Sequence, residues 1–148
     1  MISLYRDIKT NEPVAIHRTY LEVISQSEVI KKQKANLGSN NNAVIKLSDD
    51  ADVYSTLFVT EGIENAITAL LKGHAPVWAV GSAGNLANFK PVPGIENLII
   101  FADNDKEGLK SAENCGLKWG QSNVNVTIFK SPVGGGDLND LLRNDAHE

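Results

Sequence analysis

The sequence predicts an α/β fold, a Rossmann-like parallel sheet of about four strands flanked by helices, with an N-terminal antiparallel strand pair. Short apolar runs typical of buried strands recur along residues 57–129. Stretches with apolar residues at helical spacing separate these runs, and this alternation favours parallel strands joined by right-handed crossovers. Two earlier runs rich in β-branched and aromatic residues, 14–22 and 43–47, indicate strands that precede the parallel sheet.

Composition narrows the class of protein. The chain of 148 residues is 42% hydrophobic and 22% charged, which is ordinary for a globular protein. No apolar stretch approaches the roughly 20 residues that cross a membrane, and the N-terminus lacks the pattern of a secretion signal. We therefore expect a cytoplasmic protein that does not associate with membranes. The single cysteine, Cys115, excludes a disulfide framework and a cysteine-based zinc site, and we interpret it as a small core residue.

Charge is distributed unevenly along the chain. Residues 1–48 carry seven Lys/Arg against four Asp/Glu, whereas residues 49–148 carry seven against fourteen. The acidic part is by itself a poor surface for nucleic acid, because phosphate binding depends mainly on Lys and Arg. A bound divalent cation would change that local sign. The composition shift at 49–55 is typical of a linker, so we predict an accessory unit, 1–55, and a core, 56–148.

The N-terminal region is predicted to form a strand pair with a long connection. Residues 25–42 are rich in Ser, Asn and Lys and are interpreted as a loop. The strands 14–22 and 43–47 would then pair in antiparallel fashion across this loop. The cluster Lys31, Lys32 and Lys34 falls within the loop, and we interpret it as a solvated surface.

The first half of the core contains two strand-to-helix turns. The strand 57–59 ends at Thr60-Glu61-Gly62 and leads into a helix, 63–71. The predicted apolar face of this helix consists of Ile63, Ala66, Ile67, Leu70 and Leu71. The strand 76–80 leads into Gly81-Ser82-Ala83-Gly84, where glycines would let backbone N–H groups approach a phosphate, and a short helix, 85–89, follows.

The second half of the core repeats the pattern. The buried strand 98–101 stops at Asp103-Asn104-Asp105, and a helix with a face formed by Leu109, Ala112, Gly116 and Trp119 follows. The last strand is predicted at 124–129. A Pro/Gly loop, 131–136, then leads to a final short helix from Asp137 through Leu142.

Four acidic residues follow the predicted strands: Glu61, Asp103, Asp105 and Asp137. Because the carboxyl ends of parallel strands share one edge of a sheet, these side chains can converge although they span 76 residues of sequence. Clustered carboxylates repel unless a cation lies between them, and such hard oxygen ligands suit Mg²⁺ or Mn²⁺. The alternative is that these carboxylates cap or electrostatically stabilise helix N-termini.

Four segments in order carry a family resemblance: VTEGIENAITALL, AVGSAGNL, IIFADNDKEGLKSA and GGGDLNDLL. Together they resemble the Toprim domain shared by DnaG-type primases, topoisomerases and some nucleases. The match covers about residues 57–142 and extends back to about Ala15 if the preceding strands are included. It is most similar to the Toprim modules of phage and plasmid primases or primase-helicases, which implies a Toprim-like parallel sheet.

The resemblance implies roles for individual residues. Glu61 matches the invariant glutamate that acts as general base in primases, and Asp103 and Asp105 match the Mg²⁺-binding pair. Asp137, with Asn139 and Asp140, resembles the closing segment of such modules, although Gly136 stands where a lysine is usual. Lys106 occupies a position often held by arginine, and Gly81 and Ser82 are predicted, from the glycine-loop argument above, to contact substrate.

The implied activity is Mg²⁺- or Mn²⁺-dependent nucleotidyl transfer in primer synthesis during phage or plasmid DNA replication. The implied partners are a single-stranded DNA template, nucleotides, and a helicase or replication initiator protein. Two alternatives stay open: a Toprim nuclease that cleaves phosphodiester bonds, and a non-catalytic module that binds nucleic acid or protein. The sequence shows neither a zinc-binding domain nor a Walker A motif, so activity would depend on partner domains or chains. A response-regulator receiver fits less well, since only Lys130 loosely matches its late-strand lysine.

Overall fold

The computed structural model describes residues 1–26 and 28–130. Packing divides the chain into two compact units, Met1–Ile45 and Lys46–Glu148. The first is built on antiparallel strands and the second on parallel strands with helices, which confirms the predicted fold class. The predicted division into an accessory unit, 1–55, and a core, 56–148, stays a prediction.

The described residues of the first unit form four antiparallel strands in the order β3-β2-β1-β4. Their bounds are β1 (Ile2–Asp7), β2 (Pro13–Val23), β3 (Val29–Leu37) and β4 (Ala43–Lys46). The predicted loop over 25–42 is therefore wrong, because it contains β3. The predicted pairing of 14–22 with 43–47 is also wrong, because β1 lies between those strands.

The strand β3 escaped prediction because it is a polar edge strand. It pairs only with β2 within this unit's described strands, and Lys31, Lys32 and Lys34 along it are exposed, as predicted for these side chains. Lysines are a common device for keeping a sheet edge from pairing with other chains. Such a strand buries little and lacks the alternation of apolar and polar residues that marks a half-buried strand.

Between residues 46 and 130 the second unit forms a four-stranded parallel sheet in the order β6-β5-β7-β8. A short 3₁₀ helix at Asp50–Asp52 precedes it. The strands and helices, in chain order, are β5 (Thr56–Thr60), α1 (Ile63–Leu71), β6 (Val77–Ala79), α2 (Ala83–Asn88), β7 (Asn97–Ala102), α3 (Lys106–Gly120) and β8 (Asn125–Lys130). Within the described part of the chain, no helix is long and apolar enough to cross a membrane.

One face of the parallel sheet forms the main core of this unit. Alternate residues on β5 and β7 have no exposed surface: Leu57, Val59, Leu98 and Ile100. The helix α3 contacts β7 and β8 and buries Ala112, Cys115 and Trp119. The indole N–H of Trp119 donates a hydrogen bond to the carbonyl of Phe89 at 3.0 Å, so the buried polar group of this side chain is satisfied.

The buried face of α1 differs from the prediction. Its buried residues are Ile63, Asn65, Ala66, Thr68 and Ala69, whereas Leu70 and Leu71 are 40% and 72% exposed. The predicted stripe through Leu70 and Leu71 is therefore wrong in its second half. The side chains of Ala66 and Ala69 are small and allow close packing of the helix, but they carry little weight in a hydrophobicity pattern.

The buried thiol of Cys115 yields a prediction about chemical reactivity. Burial raises the pKa of Cys115 to about 12, against a small opposing effect of the Lys118 charge. Because the thiolate is the reactive form and the side chain has no exposed surface, the native protein should not react with a thiol reagent at pH 8. Labelling should be rapid only after denaturation. Rapid labelling of the native chain, measured by mass, would contradict the packing of α3.

Candidate functional site

Glu61 lies on the turn between β5 and α1, and hydrogen bonds fix this turn. The hydroxyl of Thr60 donates to the carbonyl of Gly62 at 2.8 Å, and Gly62 is the N-cap of α1 in extended conformation. The carbonyl of Glu61 accepts a hydrogen bond from the N–H of Gly81 at 2.7 Å. The turns that follow β5 and β6 are therefore joined at the carboxyl edge of the sheet.

The predicted substrate-binding residues Gly81 and Ser82 lie beside Glu61. Gly81 has φ +91°, in the left-handed region that favours glycine, so the sharp exit from β6 needs this residue. The hydroxyl of Ser82 caps α2 by accepting from the N–H of Asn85 at 3.2 Å. The next backbone N–H, that of Ala83, donates a hydrogen bond to the carboxylate of Glu61. This loop therefore orients the Glu61 side chain.

Asp103 follows β7 and is held by a residue that the sequence pattern did not reveal. Its Oδ1 accepts a hydrogen bond of 2.7 Å from the side-chain amide of Asn65 on α1. Asn65 is 2% exposed, and a buried amide normally has a partner. A polar residue four positions after Glu61 on a buried helix is the signal that could have identified it. The spacing of apolar residues in α1 did not reveal Asn65, because the predicted buried face excluded this position.

Asp105 is the N-cap of α3, as the capping alternative predicted. Its Oδ1 accepts from the backbone N–H of Gly108 at 2.8 Å, and its backbone is extended. Lys106, the first residue of α3, is exposed. A Cβ at Gly108 would lie 2.7 Å from the carbonyl oxygen of Asp103 and 3.0 Å from its Cβ, so only glycine fits here without displacing Asp103.

The charges of three predicted carboxylates, Glu61, Asp103 and Asp105, act on one another. The pKa of Glu61 is raised, first by burial and then by the negative charges of Asp103, Asp105 and, more weakly, Glu107. The hydrogen bond from Ala83 opposes this rise. Repulsion of this kind is expected where carboxylates share a site without a cation. Asp103 and Asp105 therefore lie near enough to Glu61 for their charges to raise its pKa.

The donor set of the site is compatible with Mg²⁺ or Mn²⁺. Among residues 1–26 and 28–130, no group of three or more His, Cys, Asp or Glu side chains is arranged to hold a metal ion by itself. Mg²⁺ does not need three protein ligands, because it binds through one or two carboxylates and keeps several waters or phosphate oxygens. The remaining predicted site residues, Asp137, Asn139 and Asp140, lie outside the described residues.

The family model described as Toprim domain matches residues 56–148 of this chain. The chain belongs to the Toprim family. The model begins at the first residue of β5, so it covers the whole parallel sheet and all three carboxylates of the site. No curated protein sequence matches this Toprim chain significantly.

Several solved structures with a similar fold are described as primases. The primase fragment of the bacteriophage T7 primase-helicase is 21% identical with a TM-score of 0.67, over 97% of this chain and 58% of that one. The E. coli primase catalytic core is 18% identical with a TM-score of 0.62, over 97% and 47%. A DnaG primase catalytic domain bound to single-stranded DNA is 17% identical with a TM-score of 0.63, over 97% and 48%. The Toprim chain thus shares the primase fold and spans about half the length of these structures.

The close approach at Gly108 yields a prediction about stability. Gly108→Ala should lower the free energy of unfolding by about 1–3 kcal/mol, because the new methyl group meets the backbone of Asp103 in a packed turn. Gly120→Ala, at the other end of α3, is the matched control, since nothing lies within 4 Å of a Cβ there. That change should be neutral or stabilise by up to about 1 kcal/mol. Equal effects in denaturant titrations would contradict the described turn.

Proposed function

We propose that this chain is a primase-type nucleotidyl-transfer module that uses Mg²⁺ or Mn²⁺ to make primers during phage or plasmid DNA replication. The observation that carries the proposal is the coupling of Glu61 to Asp103 and Asp105 at the carboxyl edge of a Toprim sheet. The fold shared with primase catalytic cores supports the same reaction class.

In this proposal the carboxylates of Asp103, Asp105 and Asp137 hold the metal. Mg²⁺ bound there would supply positive charge to neutralise a nucleoside triphosphate. Asn65 keeps Asp103 oriented through its hydrogen bond to Oδ1. The cap that Asp105 forms on α3 fixes the second carboxylate on a rigid helix rather than on a loop.

Glu61 acts as the general base. It accepts the proton of the primer 3′-hydroxyl while that oxygen bonds to the α-phosphorus and the bond to pyrophosphate breaks. Burial and the neighbouring carboxylates raise the pKa of Glu61, which makes it a stronger base than an exposed glutamate. The N–H of Ala83 orients the carboxylate.

Substrate binding is assigned to residues around this centre. The backbone at Gly81 and Ser82 lies beside Glu61, and Lys106 places an exposed cation at the first turn of α3. Asn139 and Asp140 complete the proposed set. The template is single-stranded DNA, the kind of ligand present in the DnaG structure described above. A helicase or replication initiator is proposed as partner, since the similar T7 protein is a primase-helicase.

Metal binding should stabilise the fold. Removing repulsion between carboxylates with Mg²⁺ or Mn²⁺ at 10 to 100 times its Kd should raise the free energy of unfolding by about 1–3 kcal/mol. Asp103→Asn should abolish this metal-dependent shift in thermal melts. Asp52→Asn, an exposed carboxylate on the 3₁₀ helix, should retain it. Identical midpoints with and without millimolar Mg²⁺ would count against the metal site.

Glu61→Gln tests the catalytic assignment. If Glu61 is the base, metal-dependent incorporation of ribonucleotides on a single-stranded DNA template should fall by about two to four orders of magnitude. Glu64→Gln removes the same charge from the first turn of α1, the helix that follows Glu61, and should leave the rate within a few-fold of wild type.

Wild type, Glu61→Gln and Glu64→Gln should also be assayed for cleavage of single-stranded DNA. A helicase, the proposed partner, is added to each reaction as a separate protein. Metal-dependent cleavage that is lost in Glu61→Gln, without incorporation, would favour the nuclease alternative. Full incorporation by Glu61→Gln would reject the proposed mechanism.

A further inference from the structure

Phe129 is a large aromatic side chain that is 52% exposed at the end of β8. Its position relative to the carboxylates follows from strand register. Phe129 pairs with Phe101 on β7, and Lys130 pairs with Ala102, the residue before Asp103. Neighbouring strands lie about 4.8 Å apart and rise about 3.3 Å per residue, so the Cα atoms of Phe129 and Ala102, the residue before Asp103, are roughly 6 Å apart.

The ring of Phe129 is held by other aromatic rings on the same face of the sheet. Its centroid lies 5.8 Å from that of Phe101 at an interplanar angle of 32°, and Phe101 stacks on Phe58 at 5.8 Å and 11°. His74 packs against both Phe58 and Phe101, at 5.3 and 5.2 Å. Phe129 is therefore the outer ring of a packed aromatic row: it contacts Phe101, and about half of its surface is exposed.

Exposure alone does not single out Phe129, because Leu71 and Leu117 are 72% and 67% exposed. Those leucines lie near the C-terminal ends of α1 and α3. Both helices begin at the edge that carries Glu61 and Asp103, so their C-terminal ends point towards the opposite edge of the sheet. Phe129 differs from these leucines because it is aromatic. It also lies at the carboxyl edge of the sheet, where Glu61 and Asp103 follow their strands.

We propose that a nucleobase of the substrate stacks on Phe129 while the phosphates of that substrate bind near Glu61, Asp103 and Asp105. This inference deepens the proposed function, on which it rests. A nucleobase stacks on an aromatic ring that is both held in place and exposed, and Phe129 is packed against Phe101 while 52% of its surface is exposed. Exposed Lys130, next in sequence, and Lys106 provide cations at the same edge, and these favour a polyanionic ligand over an apolar peptide.

The nucleobase could come from single-stranded DNA or from a free nucleotide, and matched ligands separate the two. One pair is oligo-dT and an abasic oligonucleotide with the same number of phosphates. The other is ATP and ribose 5-triphosphate, which lacks the base. Wild-type protein should bind the base-containing member of at least one pair more tightly, by about 5- to 150-fold per stacked base.

Substitutions at Phe129 separate stacking from packing. Phe129→Leu keeps an apolar side chain against Phe101 but removes the aromatic face, and it should abolish the preference for the base-containing ligand. Phe129→Trp should retain that preference. Its fluorescence should also be quenched by the base-containing ligand, because the native Trp78 and Trp119 are only 2% and 0% exposed. Leu71→Ala, an exposed side chain on another element, should bind like wild type.

The results decide the proposal in either direction. Equal affinity of wild type for both members of both pairs would overturn it, as would a Phe129→Leu variant that keeps the wild-type preference. A loss of preference without a change in thermal midpoint would support it against a purely structural role. A base preference that depends on Phe129, in a chain without metal-dependent nucleotidyl transfer, would retain base stacking on Phe129 and reject the proposed primase chemistry.

Discussion

The parallel pairing of β5 with β7 is the constraint on which the site depends. Thr60 pairs with Phe101, so the next residues of both strands leave the sheet at the same level. Glu61 and Asp103 therefore meet although they are 42 positions apart in sequence. A shift of one residue in this register would turn Leu57 and Val59 away from the core face that they share with Leu98 and Ile100. The four fully buried residues of β5 and β7 prevent such a shift, so the hydrophobic core fixes the position of the carboxylates.

Burial, and after it the charges of Asp103 and Asp105, raise the pKa of Glu61, so holding these charged groups at this edge costs free energy. Hydrogen bonds to the charged groups offset part of this cost. Asn65 donates to Asp103, Gly108 donates to Asp105, and Ala83 donates to Glu61. Each donor belongs to a helix, namely α1, α3 or α2, so every carboxylate is bonded to a rigid element. Such an arrangement preorganises charge for a cationic ligand, because the side chains need little rearrangement when it binds.

Two glycines of the second unit shape the carboxyl edge of the parallel sheet. The left-handed backbone at Gly81 lets the chain leave β6 sharply and approach Glu61. The absence of a side chain at Gly108 lets α3 begin directly against the backbone of Asp103. On the other side of β7, the aromatic row ends at Phe129 near the same carboxylates. The two glycines therefore shape the turns around Glu61 and Asp103, and the aromatic row borders the same carboxylates at Phe129.

The sequence alone determined the elements that combine strong local signals with burial on both faces. The run before Asp103 was identifiable as a buried strand because its apolar residues are consecutive. The four motif segments in order, not the acidic turn alone, carried the resemblance to the Toprim family. The helix bounds of α1 were also identifiable, since apolar spacing begins after Gly62 and stops before Gly73. Each of these signals lies within a few neighbouring residues.

The tertiary structure decided what depends on residues distant in the chain. The polar strand β3 is stabilised by backbone pairing to β2, which leaves no pattern in its own side chains. The buried face of α1 depends on how closely alanines allow the helix to approach its neighbours, and the pairing of Asn65 with Asp103 depends on that same approach. The place of Phe129 beside the carboxylates follows from the register of β7 with β8. Register and packing arise from contacts across the whole sheet, so a single linear pattern cannot encode them visibly.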